Sequence, residues 1–510
     1  MEQEATERQI TGNLFKVLTA ALLTGLLFVF SDGISGNDFW WHVKAGEWMV
    51  NNRSLPGIDA FSWYARENGI IWVSHEWLSQ IFFHLIYRSS GSPGIFIFSF
   101  SAAVLMMLLI LFRNRTGICQ NFITATIFLA PMVQLFTLFY GRPQVFSYYL
   151  IFATLYCLYE FKKNENSKAI FLIPVFSFLW ANLHAGSSTL SYILCFIFFF
   201  SGLVDFTWGK LHFEKNTSKQ ALLFLVIGIL SIVAIGLNPY GIDMIVYPYA
   251  NMGDSFMQEI IEEWHPPDAK RISHLLIFFV PILICSLSFV ASEKKIKGLD
   301  LLVFLFFAYM LFRSVRFSIV FSIAASFFFF DYAITRKIPH ATNEAGGRRM
   351  FIFTCVLLVI ASLFLGGKTF NTWRSGKLIS EILDKEFVEF VKKQQPKRLY
   401  NDYDFGEILI FNGIETFADA RADLFSPHNL KDMVSLFRLV QTDPRAKEKF
   451  LNIPNLIDKY NFDAFLLRTN SSLASFLRTQ PEKYQIQKET SRAIYFSRVP
   501  ESYSSGDKQK

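Results

Sequence analysis

Residues 95–112 read IFIFSFSAAVLMMLLILF, eighteen in a row without a charge. A helix rises ~1.5 Å per residue, so about twenty apolar residues cross the ~30 Å hydrocarbon core of a bilayer. The stretch is therefore read as a transmembrane helix. Residues 317–330 and 350–365 have the same character, and similar runs recur along the first 366 residues. The composition agrees. The chain of 510 residues is 52% hydrophobic and 18% charged, with 58 phenylalanines and a mean hydropathy of +0.31. A soluble protein carries about 25% charge. Burying so many apolar runs without a membrane would need a core far larger than one domain builds.

Working outward, the expected spans are 14–30, 94–112, 121–139, 145–161, 170–184, 188–204, 221–237, 273–291, 299–313, 317–334 and 350–366. The first is read as retained, because Phe30-Ser31-Asp32-Gly33 offers no small-residue cleavage site. Trp77–Tyr87 is apolar but short, and is expected to be an interfacial or re-entrant helix. Basic residues then set the orientation. The loops expected inside hold fifteen: Arg113, Arg115, Lys162, Lys163, Lys168, Lys210, Lys215, Lys219, Lys294, Lys295, Lys297, Arg336, Lys337, Arg348 and Arg349. The short outer loops after the first hold five: Arg142, Lys270, Arg271, Arg313 and Arg316. The N-terminus is thus expected in the cytoplasm and the C-terminal tail outside, the chain being a multi-pass protein of the cell membrane. The inner loops read as plain solvated connectors. The net charge of +7 rests in such loops and gives no sign of nucleic acid as a partner.

The tail changes character. From 367 on, amphipathic helical patterns (Leu378–Gln394, Leu430–Val440) alternate with strand-like runs (Phe462–Leu467, Ala493–Ser497). The expected fold class is mostly α: a polytopic membrane domain of about eleven helices, residues 1–366 with a large outer loop 31–93, followed by an extracytoplasmic α/β domain, residues 367–510. No cysteine falls in that tail, so no disulfide framework is expected there.

The specialised residues gather in the outer loops. The first opens Gly36-Asn37-Asp38-Phe39-Trp40-Trp41-His42 and returns to the membrane at His75-Glu76-Trp77. Asp38 and His42 would share a face of a short helix. Two readings stand at Asp38: a carboxylate that caps a helix beside interfacial Trp and His, or a general base. Arg142 ends a span before Pro143 and either snorkels or holds a phosphate. His184 ends a span at Asn182-Leu183-His184, in a packing or a substrate-orienting role. Arg313 and Arg316 are three apart, on one helix face if the helix continues, as headgroup anchors or phosphate ligands. Glu263 stands in a cluster with Glu262, His265 and Asp268 that offers a second acid or a metal ligand, though the spacing fits no defined metal site.

The layout resembles the GT-C superfamily, the integral-membrane glycosyltransferases that include the protein O-mannosyltransferases and the lipid A aminoarabinose transferases. Asp38 takes the place of the acidic residue that follows their first span. His75-Glu76-Trp77-Leu78 matches the pair before the next apolar helix. The chain also resembles uncharacterised bacterial membrane proteins in Gly141-Arg142-Pro143-Gln144, Asn238-Pro239-Tyr240-Gly241 and Asp419-Ala420-Arg421-Ala422-Asp423. The superfamily resemblance implies transfer of a sugar from a polyprenyl-phosphate-linked donor, at the outer face, to a glycan, lipid or protein acceptor. It implies Asp38 as base and inversion at the anomeric carbon. His75, Glu76 and His184 would then orient substrate, and Arg142, Arg313 and Arg316 would hold the phosphate. The chemistry also admits a divalent cation at the departing phosphate. The rival class is a non-catalytic lipid or polysaccharide transporter or an anchor. Paired, broken helices would mark a transporter; no such symmetry is visible.

Overall fold

The computed structural model describes residues 38–113, 141–254, 257–258, 261–332, 383–426, 428–438 and 453–500. The expected spans 14–30, 121–139 and 350–366 lie outside them. In chain order the elements used below are α1 (Phe39–Asn52), α2 (Trp63–Glu67), α3 (Trp77–Arg113), α4 (Gln144–Lys163), α5 (Ile173–Leu183) and α6 (Leu190–Ser201). Then come β1 (Phe206–Trp208), β2 (Leu211–Phe213), α7 (Ser218–Gly236), α8 (Ile272–Ala291), β3 (Ile296–Lys297), α9 (Gly298–Arg313) and α10 (Ser318–Ala325). The tail holds α11 (Lys385–Gln394), β4 (Leu399–Asn401), α12 (Gly406–Phe411), α13 (Leu430–Arg438), α14 (Ile453–Tyr460), β5 (Ala464–Arg468), α15 (Ser472–Arg478), β6 (Tyr484–Glu489) and β7 (Ala493–Arg498).

The chain divides into two compact units. The membrane unit, described over 86–113 and 141–332, is helical. Helical segments stand at the other eight expected spans. Among the described residues, α7 and α8 are long and apolar enough to cross a membrane, and Trp77–Ile95 with Ile97–Ile110 makes a third if that bent pair is one span. α7 shows what such a helix requires. Thr217 and Gln220 form a reciprocal capping box at its start. Phe224, Ile227 and Ile235 are buried on one face while Leu222, Ile229 and Val233 stand exposed on the other. A helix apolar all round belongs in lipid or in a core.

Trp77–Tyr87 opens the helical stretch α3, which is bent by 73° between Trp77–Ile95 and Ile97–Ile110, as a broken span or a re-entrant loop is. The one non-helical residue is Gly91, at φ 59° and ψ −155°, a conformation essentially confined to glycine. The loops expected inside are not plain connectors. β1, β2 and β3 form a small sheet, β1 antiparallel to β2 and β2 parallel to β3. Backbone pairing between two loops far apart in sequence leaves no mark in local composition.

The second unit joins the first outer loop to the tail. Residues 38–85 cluster with 383–500 rather than with the membrane helices. The reason is burial of aromatic side chains in the core of the tail. Trp63 stacks on Phe417 with centroids 5.6 Å apart and donates its indole N–H to Leu399 O at 3.0 Å. Trp40 lies 4.5 Å from the Phe411 ring, and Arg66 grips Glu415 through two bonds of 3.0 and 2.8 Å. Hydropathy measured along the chain sees none of this. The sheet behind that core runs β4-β5-β7-β6. β4 and β5 are parallel and the other two pairs antiparallel. β5 and β7 carry the apolar runs read from sequence. β4 is short, and β6 is mostly exposed, so neither has a strong strand pattern. α1 comes so close to the start of α3 that a Cβ on Gly46 would lie 2.1 Å from Gln80 O.

Candidate active site

In the second unit the acidic candidates are held at the start of α1 and the start of α3. Asp38 occupies the N-cap position of α1, but its side chain makes no capping bond. Its Oδ1 instead accepts from Trp41 Nε1 at 3.5 Å. The cap comes from elsewhere: Glu407, on α12, accepts the N–H of Trp40 at 3.2 Å. The first N–H groups of a helix lack internal partners and attract negative charge, and here a carboxylate of the tail meets that demand. Asp38 is half-buried at this helix start.

Four residues away, His42 is 2% exposed and its Nε2 stands 3.8 Å from Glu76 Oε2. The other oxygen of Glu76 is 3.5 Å from His75 Nε2, and His75 Nδ1 is 3.8 Å from Asp423 Oδ2. His42, Glu76, His75 and Asp423 thus form one row of alternating imidazoles and carboxylates. Burial pulls the His75 pKa down, but the carboxylates of Glu76 and Asp423 outweigh it and raise it above the ordinary histidine value. The turn Ser74–Trp77 sets the pair in place, with Trp77 N donating to Ser74 O at 3.2 Å and the Ser74 hydroxyl to Gln80 Oε1 at 2.8 Å.

The Asp419–Asp423 segment serves two ends. Asp423 joins the row. Arg421 is fully buried and bridges Asp419, at 2.8 and 2.7 Å, and both oxygens of Asp59. The rings of Trp72, Phe61 and Phe425 surround its guanidinium. A cation so enclosed, with both partners buried, ties loop to tail.

In the membrane unit the arginines meet a carboxylate. Arg142 Nη1 donates to Glu263 Oε1 at 2.9 Å. Burial raises the Glu263 pKa, but Arg142 and Arg316 more than offset it, and the net displacement is downward. The turn carrying Glu263 is pinned to the next outer turn: Ser314 Oγ donates to Glu263 O at 2.7 Å and Val315 N to His265 O at 3.0 Å. Arg313 and Arg316 do not share a helix face. α9 stops at Arg313, Ser314 is extended (φ −160°, ψ 134°), and its hydroxyl caps a new 3-10 turn through Arg316. Arg313 is left exposed at the helix end. His184 sits in a small polar net, its Nδ1 2.6 Å from Ser147 Oγ and 2.9 Å from Ser187 Oγ, with Trp180 Nε1 donating to Ser147 at 2.7 Å. That net suits a packing role. Glu262, Glu263, His265 and Asp268 do not close into a chelate, and among the described residues no three His, Cys, Asp or Glu side chains form a group able to hold a metal ion.

The structure therefore sorts the candidates into two sets. Asp38, His75 and Glu76 belong to the second unit, and Arg142, Glu263, Arg316, Arg313 and His184 to the membrane unit. Sequence reasoning missed Asp59 and Glu407 altogether. An isolated acid in a turn carries no local signal of its partner. The charge alternation Asp419-x-Arg421-x-Asp423 was visible but did not disclose which members are enclosed.

Taken together, the helical membrane unit and the α/β tail share their fold with solved archaeal oligosaccharyltransferases. Solved structures that this chain is similar to include oligosaccharyltransferases of Archaeoglobus fulgidus. With the apo form the identity is 12% and the TM-score 0.53, over 89% of this chain and 69% of that one. With AglB in complex with an inhibitory peptide and a dolichol-phosphate the values are 12% and 0.53, over 96% and 75%. With the enzyme tethered to an acceptor peptide containing the NVT sequon they are 14% and 0.52, over 96% and 74%. At such identities the likeness is one of fold. No protein-family model matches the chain, and no curated protein matches it in sequence.

Proposed function

We propose that this chain is a glycosyltransferase that moves a sugar from a polyprenyl-phosphate-linked donor to an acceptor at the outer face of the membrane. The observation that carries the reading is the shared fold, along 96% of the chain, with an oligosaccharyltransferase whose structure holds a dolichol-phosphate. The proposed topology is that of eleven spans, with the N-terminus inside and the tail outside.

In the proposed reaction an acceptor hydroxyl attacks the anomeric carbon as the bond from that carbon to the phosphate oxygen breaks. Polyprenyl phosphate leaves with the electron pair, and the hydroxyl proton passes to a carboxylate. Asp38 is the proposed base. It is half-buried, and helix capping is met by Glu407. The carboxylate of Glu76 is already engaged by two imidazoles, which suits it to orienting groups around it. Arg142 and Arg316 are the proposed phosphate ligands. Glu263 balances their charge and is displaced as the donor phosphate arrives. Arg313, exposed at a helix end, contributes charge only.

Membranes carrying the chain, supplied with a panel of radiolabelled polyprenyl-phosphate sugars, test the proposal. Incorporation above that of membranes lacking the chain is expected for at least one donor, and Arg142→Gln should raise the donor KM. Repeating the assay with a chelator decides whether a divalent cation shares the phosphate charge. Equal incorporation with and without the chain across the panel would leave the transporter or anchor reading in possession.

A further inference from the structure

A second site lies in the membrane unit, among loops that the basic-residue rule assigns to the cytoplasm. A cavity of about 290 Å³ is lined by Arg113 at the end of α3, Lys162 and Lys163 at the end of α4, and Lys297 at the start of α9. Four carboxylates share it, and three of these have partners. Asp300 accepts the hydroxyls of Tyr159 at 2.9 Å and Tyr332 at 2.7 Å. Asp331 faces Lys297 Nζ at 3.5 Å, and Glu214 stands 3.8 Å from Lys162 Nζ. What remains is Arg113 and Lys163 against Glu160 and the tyrosine-bound Asp300, so the cavity carries four basic and four acidic groups.

Arg113 is the unusual member. Its guanidinium lies 4.0 Å over the Phe327 ring. Its Nε is buried and meets no hydrogen-bond acceptor among the described residues. A buried donor without an acceptor is costly, and the planar guanidinium fork matches phosphate oxygens better than any other side chain does. An arginine between membrane helices at the cytoplasmic side can hold a phosphate-bearing headgroup by this contact.

We propose that this cavity binds a phosphate group, supplied by a phospholipid headgroup of the cytoplasmic leaflet, with Arg113 as its principal ligand and Lys163 as a second. The site is independent of the transferase reading, whose proposed residues stand in the outer loops.

The test uses the full-length chain, purified in detergent and stripped of lipid. Thermal unfolding and native mass spectrometry are followed on adding phosphatidylglycerol, diacylglycerol or inorganic phosphate. Phosphatidylglycerol should bind and stabilise, diacylglycerol should not, and Arg113→Gln should weaken phosphatidylglycerol binding about tenfold, as loss of a charge-assisted contact does. An Arg113-dependent response to inorganic phosphate alone supports the same site with phosphate drawn from solution. If Arg113→Gln fails to fold, Lys163→Gln, at an exposed side chain, carries the comparison. Equal response to diacylglycerol, or binding unchanged in the variants that fold, overturns the proposal.

Discussion

The carboxylate of Glu407 accepts the N–H of Trp40 at 3.2 Å, across 367 positions of the chain. The helix start that carries Asp38 is therefore capped by the tail, not by Asp38. Glu407→Ala should lower the stability of the loop-and-tail unit by about 1–2 kcal/mol, the usual worth of a lost cap. Thermal unfolding checks this. Asp38→Asn should leave the same midpoint nearly unmoved. The opposite ranking would return the capping role to Asp38.

Asp38→Asn keeps size and most hydrogen bonding but removes the proposed base. Sugar transfer should fall at least ~10²-fold, with insertion and donor binding little changed. A variant that folds and transfers at near the wild-type rate would move the base role to Glu76. Glu263 is the poorer substitute, since Arg142 and Arg316 hold its pKa down.

Arg421→Ala strands Asp59 and Asp419, both buried. Breaking a buried pair in this way costs about 3–5 kcal/mol. Expression and protease resistance should fall together with activity. An Arg421→Ala protein of normal stability that lost only acceptor transfer would instead make this segment part of acceptor recognition.

His75 gives the second unit a pH signature. Its folded pKa is raised above the ordinary 6.5 by Glu76 and Asp423, against the pull of burial. The folded state thus binds the proton more tightly than the unfolded state. Its contribution is fully present below about pH 6.5 and is lost as pH rises through the raised value. Unfolding midpoints measured between about pH 6 and 9 should decline, and His75→Gln should flatten that decline. An unchanged slope in the variant would detach it from His75.

Reporter fusions after Lys163, Lys215 and Lys295 should report cytoplasm, and a fusion after Asp423 the outside. A cytoplasmic tail would overturn the orientation, and with it the proposed outer face of the reaction.

The sequence by itself determined the class of molecule. Uncharged runs such as 95–112, basic residues in alternate loops, and the change of period after 367 are local properties. Hydropathy and side-chain periodicity act over one or two turns, so they can be read along the chain. The same local signals brought Asp38, His75, Glu76 and Arg142 to notice, as polar groups beside apolar spans. Only the tertiary structure decided what those groups do to one another. The pairing of Arg421 with Asp59 spans 362 positions, that of Arg142 with Glu263 spans 121, and that of Trp40 with Glu407 spans 367. Coulomb attraction and hydrogen bonding act over a few ångströms of space, and which charges come within that distance is settled by packing within each unit, in the second by that of Trp40, Trp63 and Phe417 in a shared core, not by their order in the chain.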